Sequence, residues 1–174
     1  MRLPGPEDAR RPADFIAKDD LLARVREALA DLYRYDGELL SIDVQERTIC
    51  HRLAIYLERR FPYWHVDCEY NRNLVESKRR GSGRPVVPDI IVHRRLTDEN
   101  LLAVEIKKSG TQNSDDDVVK LVEYVSGPLH YAHGLLLRLD KTGIEVASYW
   151  ACGRQYGEPD DVTQWLDSSV AGRR

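Results

Sequence analysis

From Asp19 or Asp20 onward, Leu22, Val25, Leu29 and Leu32 recur at intervals of three and four, which puts them on one face of a helix. Tyr35-Asp36-Gly37 closes that helix. A second helix is predicted from roughly Val44 to Arg60, with the stripe Ile49, Cys50, Leu53, Ala54 and Leu57, and Phe61-Pro62 ends it. The period then shortens to two. In "YWHVDCEYN", Val66, Cys68 and Tyr70 face one way and His65, Asp67 and Glu69 the other. "LVESKRRGSGRP" reads as a basic, glycine-containing loop. "VVPDIIVH" and "LLAVEIKK" are strand-like runs joined by a polar turn at "RRLTDEN", the pattern of an antiparallel hairpin. Ser114-Asp115-Asp116-Asp117 then starts a helix, with a serine cap and carboxylates where the helix dipole favours them. That helix carries Val118, Leu121, Val122 and Val125 on one face and stops at Gly127-Pro128. "HGLLLRL" and "IEVASYW" are two further strands, separated by Asp140-Lys141-Thr142-Gly143. There is no internal repeat and no low-complexity segment.

The order helix, helix, three strands, helix, two strands predicts an α/β domain with one mixed central sheet covered by helices. The helix between "LLAVEIKK" and "HGLLLRL" is placed to make a right-handed crossover between parallel neighbours. At 174 residues the chain has the length of one domain with a sizeable core. Its expected division is a flexible leader over 1–17, a single domain over 18–152, and a polar tail over 153–174 with a short helix around Val162 to Leu166.

Composition narrows the class. A hydrophobic share of 42% with 32% charged residues suits a soluble globular protein rather than a disordered one. No apolar run approaches the ~20 residues that cross a bilayer, so no membrane partner is expected. The start, "MRLPGPEDARRPADF", lacks the apolar stretch of a secretory signal. Cys50, Cys68 and Cys152 are an odd count without CxxC spacing, which favours a reducing, cytoplasmic setting and disfavours a structural zinc site. The net charge of −3 is unevenly spread. Between Arg72 and Arg95, seven basic residues oppose two acids, a net of +5 that leaves −8 for the rest of the chain. A local basic segment can contact phosphates even on an acidic protein, although a charge run is ordinarily a solvated loop.

The polar residues inside the strands raise the functional question. Ala103, Glu105 and Lys107 share one strand face, while Leu102, Val104 and Ile106 share the other. The bland reading of Glu105 and Lys107 is a surface salt bridge, which contributes little. Asp89 changes the balance. It follows Pro88 and precedes three β-branched residues, and in a hairpin it can come beside Glu105. Two adjacent carboxylates repel unless a cation or proton intervenes. Two carboxylates with water and a phosphate oxygen are a common way to hold Mg²⁺, and a lysine beside that ion can orient the attacking water.

Pro88-Asp89, then fifteen residues, then Glu105-Ile106-Lys107 resembles the signature of the PD-(D/E)XK nuclease superfamily, the group of restriction endonucleases and Holliday-junction resolvases. That superfamily's αβββαβ core matches the element order from about residue 44 to 139, somewhat over half the chain; Leu21 to Asp36 would be an additional N-terminal helix. The resemblance implies a restriction-endonuclease-like fold, with Asp89, Glu105 and the Ile106 carbonyl as metal ligands and Lys107 positioning the nucleophile. Many members also carry an acid on the first core helix. Glu46 fits, because it lies four residues before Cys50 and seven before Leu53 on the inward stripe. Asp43-Val44-Gln45-Glu46 equally has the form of a capping box, so both roles for Glu46 stand at this point.

Other polar residues are secondary. Glu69 shares a predicted strand face with Asp67 and could reach the same cleft; His51 reads as exposed, and His93 is left outside the catalytic set. Lys108 reads as the solvent-facing end of its strand, and Lys120 as an exposed helix lysine where the family often places an auxiliary polar residue. The expected function is a metal-dependent nuclease acting on DNA. It would use one or two Mg²⁺ ions, with Mn²⁺ as a substitute, at Asp89 and Glu105 with Glu46 assisting, and Arg72, Lys78, Arg79, Arg80 and Arg84 would hold the nucleic-acid backbone. The alternative is a non-catalytic nucleic-acid or protein interaction module on the same fold. With no helix-turn-helix or zinc finger in the sequence, specificity would come from loops, a homodimer partner or another protein.

Overall fold

The structure is a computed structural model that describes residues 16–42, 44–70, 72–73, 76–77, 87–110, 115–152 and 159–167; the side chains at 72–73, 76–77 and 115–116 lie outside that description. Three helices come first: α1 (Lys18–Asp36), the single turn α2 (Glu38–Ser41) and α3 (Glu46–Arg60). Strand β1 (His65–Cys68) follows. β2 (Arg72–Asn73) then pairs antiparallel with β3 (Glu76–Ser77), and the latter falls in the segment expected to be loop. β4 (Ile90–His93) and β5 (Asn100–Lys108) make the expected hairpin, and α4 (Asp115–Ser126) leads to β6 (His133–Asp140). β7 (Gly143–Ala151), β8 (Asp160–Asp161) and α5 (Thr163–Asp167) complete the chain.

Six strands form one mixed sheet in the order β1-β4-β5-β6-β7-β8, with β5 and β6 parallel and every other pair antiparallel. This is the meander, crossover helix and returning strand of a restriction-endonuclease-like core. Each face has its own apolar layer. Leu21, Val25, Leu29 and Leu32 of α1 and Ile49, Leu53 and Leu57 of α3 pack on Ile90, Val92, Leu102, Val104 and Ile106. Each fully buried leucine there contributes ~1.5–3 kcal/mol relative to exposure. On the opposite face, Leu121, Tyr124 and Val125 of α4 pack on Ile91, Ala103, Leu136 and Trp150. The segment read as polar tail adds strand β8 to the edge of the sheet and buries Val162 and Leu166 in the first layer.

α1 and α3 are tied by polar contacts as well as by apolar ones. Arg52 Nε donates to Asp36 at 2.8 Å, the Tyr56 hydroxyl donates to the same carboxylate at 2.5 Å, and Arg60 donates to Asp31 at 2.6 Å. These contacts fix the middle and the C-terminal end of α3 against α1.

The alternation expected in β1 fails after Cys68. Glu69 takes a φ of 50°, in the left-handed region unusual for a residue with a side chain. The chain therefore turns. Val66 packs with the α1–α3 layer, but Tyr70 packs with the α4 layer, its ring tilted against that of His93 with centroids 4.7 Å apart. Asp67 accepts from His93 at 2.8 Å and pairs with Arg95, while Glu69 pairs with Arg47 of α3 at 2.7 Å. Asp67 and Glu69 thus have different partners, contrary to the shared face expected from strict alternation.

Candidate active site

β4 begins only at Ile90, short of the far end of its antiparallel partner, and that difference in length builds the site. The register pairs Ile90 with Val104, so the next position along puts Asp89 opposite Glu105. β5 continues to Lys108 while β4 does not, leaving strand amides to be satisfied at that edge. The Ile106 amide donates to Asp89 Oδ2 at 2.8 Å, and the Lys108 amide donates to Glu46 Oε1 at 3.2 Å. Two carboxylates therefore occupy the place of the missing strand. In a β-strand the N–H and C=O of one residue point to the same side. The Ile106 carbonyl accordingly faces the same edge as Asp89.

Glu105 projects to the α4 face and is 3% exposed. The Tyr124 hydroxyl donates to its Oε1 at 3.0 Å. Burial, reinforced by the Asp89 charge, pushes the Glu105 carboxyl up to about 8 against the opposing pull of Lys120 and Tyr124. Asp89 is also raised; burial outweighs the Ile106 amide and Lys107, and Glu46 adds to the rise. The Lys107 ammonium lies 3.5 Å from Asp117 Oδ2 and 3.9 Å from Glu46 Oε2. Lys120 Nζ sits 2.9 Å from Asp117 Oδ1. Beside Asp89, a cavity of about 160 Å³ is lined by Arg47, Cys50, Cys68 and Glu69.

The structure thus brings Asp89, Glu105, Ile106, Lys107 and Glu46 to one end of the sheet. Glu69 lines the cavity beside Asp89, reached through the turn after Cys68 rather than along a strand face. Glu46 does not close a capping box. α3 begins at Glu46 itself, after Gln45, and its carboxylate reaches the Lys108 amide instead. Lys108 is half-buried and donates from Nζ to the Val44 carbonyl at 2.9 Å, which replaces the expected solvent-facing role. Lys120 belongs to the cluster rather than to an open helix surface, with its side chain 26% exposed against Asp117. His51 is exposed as expected, and His93 is held by Asp67 away from the site. Of the expected backbone-binding residues, Lys78, Arg79, Arg80 and Arg84 and the Arg72 side chain lie outside the described residues. Two other arginines of the basic segment are already engaged, Arg94 with Glu99 at 2.9 Å and Arg95 with Asp67.

Asp117 and Tyr124 were missed by sequence reasoning. In the sequence Asp117 has the place of a first-turn acid that answers the helix dipole. Its spacing carried the signal: Asp117, Leu121 and Tyr124 stand at i, i+4 and i+7, one helical face.

The donors suit a hard divalent cation. Asp89, Glu105 and the Ile106 carbonyl are all oxygen ligands, the chemistry preferred by Mg²⁺. Burial is the main reason both carboxyls are raised, and Asp89 adds to the rise at Glu105, so a compensating positive charge would be favourable here. Among the described residues no group of three or more His, Cys, Asp or Glu side chains is arranged to hold a metal alone. Mg²⁺ typically takes one or two carboxylates and completes its shell with water and substrate phosphate.

No family model and no curated protein matches the chain. Among solved structures, a chain of a DrdV–DNA complex studied by cryo-EM aligns with 87% of this chain at 17% identity and a TM-score of 0.47. The aligned region makes up 13% of that chain, and a likeness of this size carries no argument about activity. No helix among the described residues is long and apolar enough to cross a membrane.

Proposed function

We propose that this chain is a metal-dependent nuclease that hydrolyses phosphodiester bonds of DNA, built on the PD-(D/E)XK plan. The observation that carries the reading is the pair of half-buried Asp89 and buried Glu105 at the unfinished edge of the β4–β5 hairpin, with the Lys107 ammonium held near it by Asp117. Asp89, Glu105 and the Ile106 carbonyl would hold Mg²⁺ or Mn²⁺. Such an ion, when bound, neutralises phosphate charge and lowers the pKa of water. The charge balance agrees with this. Once Glu105 gives up its proton, Asp89, Glu105, Glu46 and Asp117 set four carboxylates against the ammonium groups of Lys107 and Lys120, and one divalent cation would balance the difference.

Lys107 orients the attacking water and stabilises negative charge as it develops. Glu46 keeps one oxygen on the Lys108 amide and the other toward Lys107, so it fixes the end of β5 and the direction of that ammonium together. Tyr124 fixes the Glu105 carboxylate from the α4 side. Arg72, Lys78, Arg79, Arg80 and Arg84 would grip the DNA backbone and set register without reading sequence.

The test is cleavage of supercoiled plasmid with Mg²⁺, run beside a DNA-binding assay, for wild type and Lys107→Ala. The expected result is loss of cleavage by roughly 10²–10³-fold or more, with DNA binding largely kept. Cleavage by Lys107→Ala at the wild-type rate would contradict this mechanism. DNA binding by wild type without cleavage under any divalent metal would favour the non-catalytic interaction module.

A further inference from the structure

We propose that Asp117 is a positioning residue, whose carboxylate holds the ammonium groups of Lys107 and Lys120 side by side and so fixes where Lys107 delivers its charge. The proposal rests on the nuclease reading of the site. Asp117 is 3% exposed in the first turn of α4. A carboxylate so deeply buried requires compensating partners. Its two oxygens are divided between lysines from two elements, Oδ1 at 2.9 Å from Lys120 of α4 and Oδ2 at 3.5 Å from Lys107 of β5. The helix N-terminus lends it further favourable potential.

The physical need is plain. A lysine side chain has many rotamers, and an untethered Lys107 would sample many directions at the end of its strand. Two ammonium groups in one place also repel. Asp117 between them offsets that repulsion and sets their spacing. The longer 3.9 Å approach of Lys107 to Glu46 gives a weaker second anchor. With Asp117 neutral, the lysines face each other without the intervening charge, and Lys107 loses the nearer of its two carboxylate partners among the described residues.

The experiment uses the full chain, with wild type, Asp117→Asn, Asp117→Glu, Lys107→Ala and the Lys107→Ala/Asp117→Asn double variant. Steady-state cleavage is measured together with acetic-anhydride labelling of each lysine, read by mass spectrometry on metal-free protein. Circular dichroism checks that each variant folds. Expected is a fall in kcat of about 10-fold or more for Asp117→Asn with little change in KM, and no further fall when Asp117→Asn is added to Lys107→Ala. Labelling of Lys107 and Lys120 rises several-fold in Asp117→Asn, stays near wild type in Asp117→Glu, and is unchanged at the exposed Lys141. A residue that acts only through stability would add its cost in both backgrounds. Additive loss in the double variant, or labelling of Lys107 unaffected by Asp117→Asn, would overturn the positioning role while leaving the nuclease reading intact. A wild type that does not cut DNA overturns the nuclease reading and with it any catalytic use of Asp117. The labelling then shows separately whether the carboxylate holds the two lysines.

Discussion

Glu105 is 3% exposed beside a second carboxylate, and its carboxyl is raised from 4.5 to about 8 by burial first and by Asp89 second. A group raised on folding stabilises the fold fully below its unfolded pKa, and that contribution disappears as pH climbs through the folded value. Metal-free protein is therefore expected to lose stability between about pH 4.5 and about pH 8 through Glu105, and Glu105→Gln is expected to flatten that loss. Urea melts of both proteins at about pH 5 and about pH 9 measure it; identical pH dependence in the two would contradict the assignment. A divalent cation at Glu105 and Asp89 must displace the Glu105 proton, so affinity should rise with pH up to about 8 and binding should release protons at neutral pH. Asp89, Glu105 and Lys107 were legible in the sequence because polar residues in apolar strands break the local rule, and broken rules concentrate at functional sites. Asp117 was not, because a carboxylate near a helix start satisfies an ordinary rule, and only the fold shows that it is buried against lysines from two elements.

The site depends on how α4 seats on the sheet. A Cβ placed on Gly134 of β6 would stand 3.1 Å from Val125 Cγ1 and 3.4 Å from Leu121 Cδ2, so the absence of a side chain there lets the helix approach closely. Gly134→Val should cost ~1–3 kcal/mol through overpacking. It should also lift Tyr124 and Asp117 away from Glu105 and Lys107, so cleavage falls even where the variant is fully folded. Thermal melts and cleavage rates on the same samples check this, and wild-type cleavage in a folded Gly134→Val protein would show that the seating of α4 is not critical. At this scale the hydrophobic periods placed α1, α3, α4 and the hairpin well. They did not foresee the turn at Glu69, since a positive φ in a residue other than glycine comes from tertiary context and leaves no trace in alternation. Nor did they foresee β8, because two aspartates pairing with the edge of β7 have no strand propensity to reveal them.

Over the whole molecule, charge and topology point to one end of the sheet. The carboxylates and lysines gather where β4 begins, and Arg72, Lys78, Arg79, Arg80 and Arg84 of the basic segment precede Asp89 in the sequence, within a protein of net charge −3. Replacing Lys78, Arg79 and Arg80 by alanine should weaken DNA binding without sequence preference. It should also reduce the salt dependence by about 0.9 in slope for each phosphate contact removed. Fluorescence anisotropy across a salt series reads this, and an unchanged slope would move the DNA-contacting surface elsewhere. The most direct measurement is calorimetric titration of Mg²⁺ into wild type and Asp89→Asn, with plasmid nicking assayed on the same samples. Asparagine can still accept the Ile106 amide through its carbonyl oxygen, so the variant removes the charge while keeping that hydrogen bond. Mg²⁺ binding and nicking by wild type, both lost in Asp89→Asn, are the expected result. Nicking that persists in Asp89→Asn, or a wild type that binds no divalent metal, would contradict a metal-dependent nuclease site at Asp89 and Glu105.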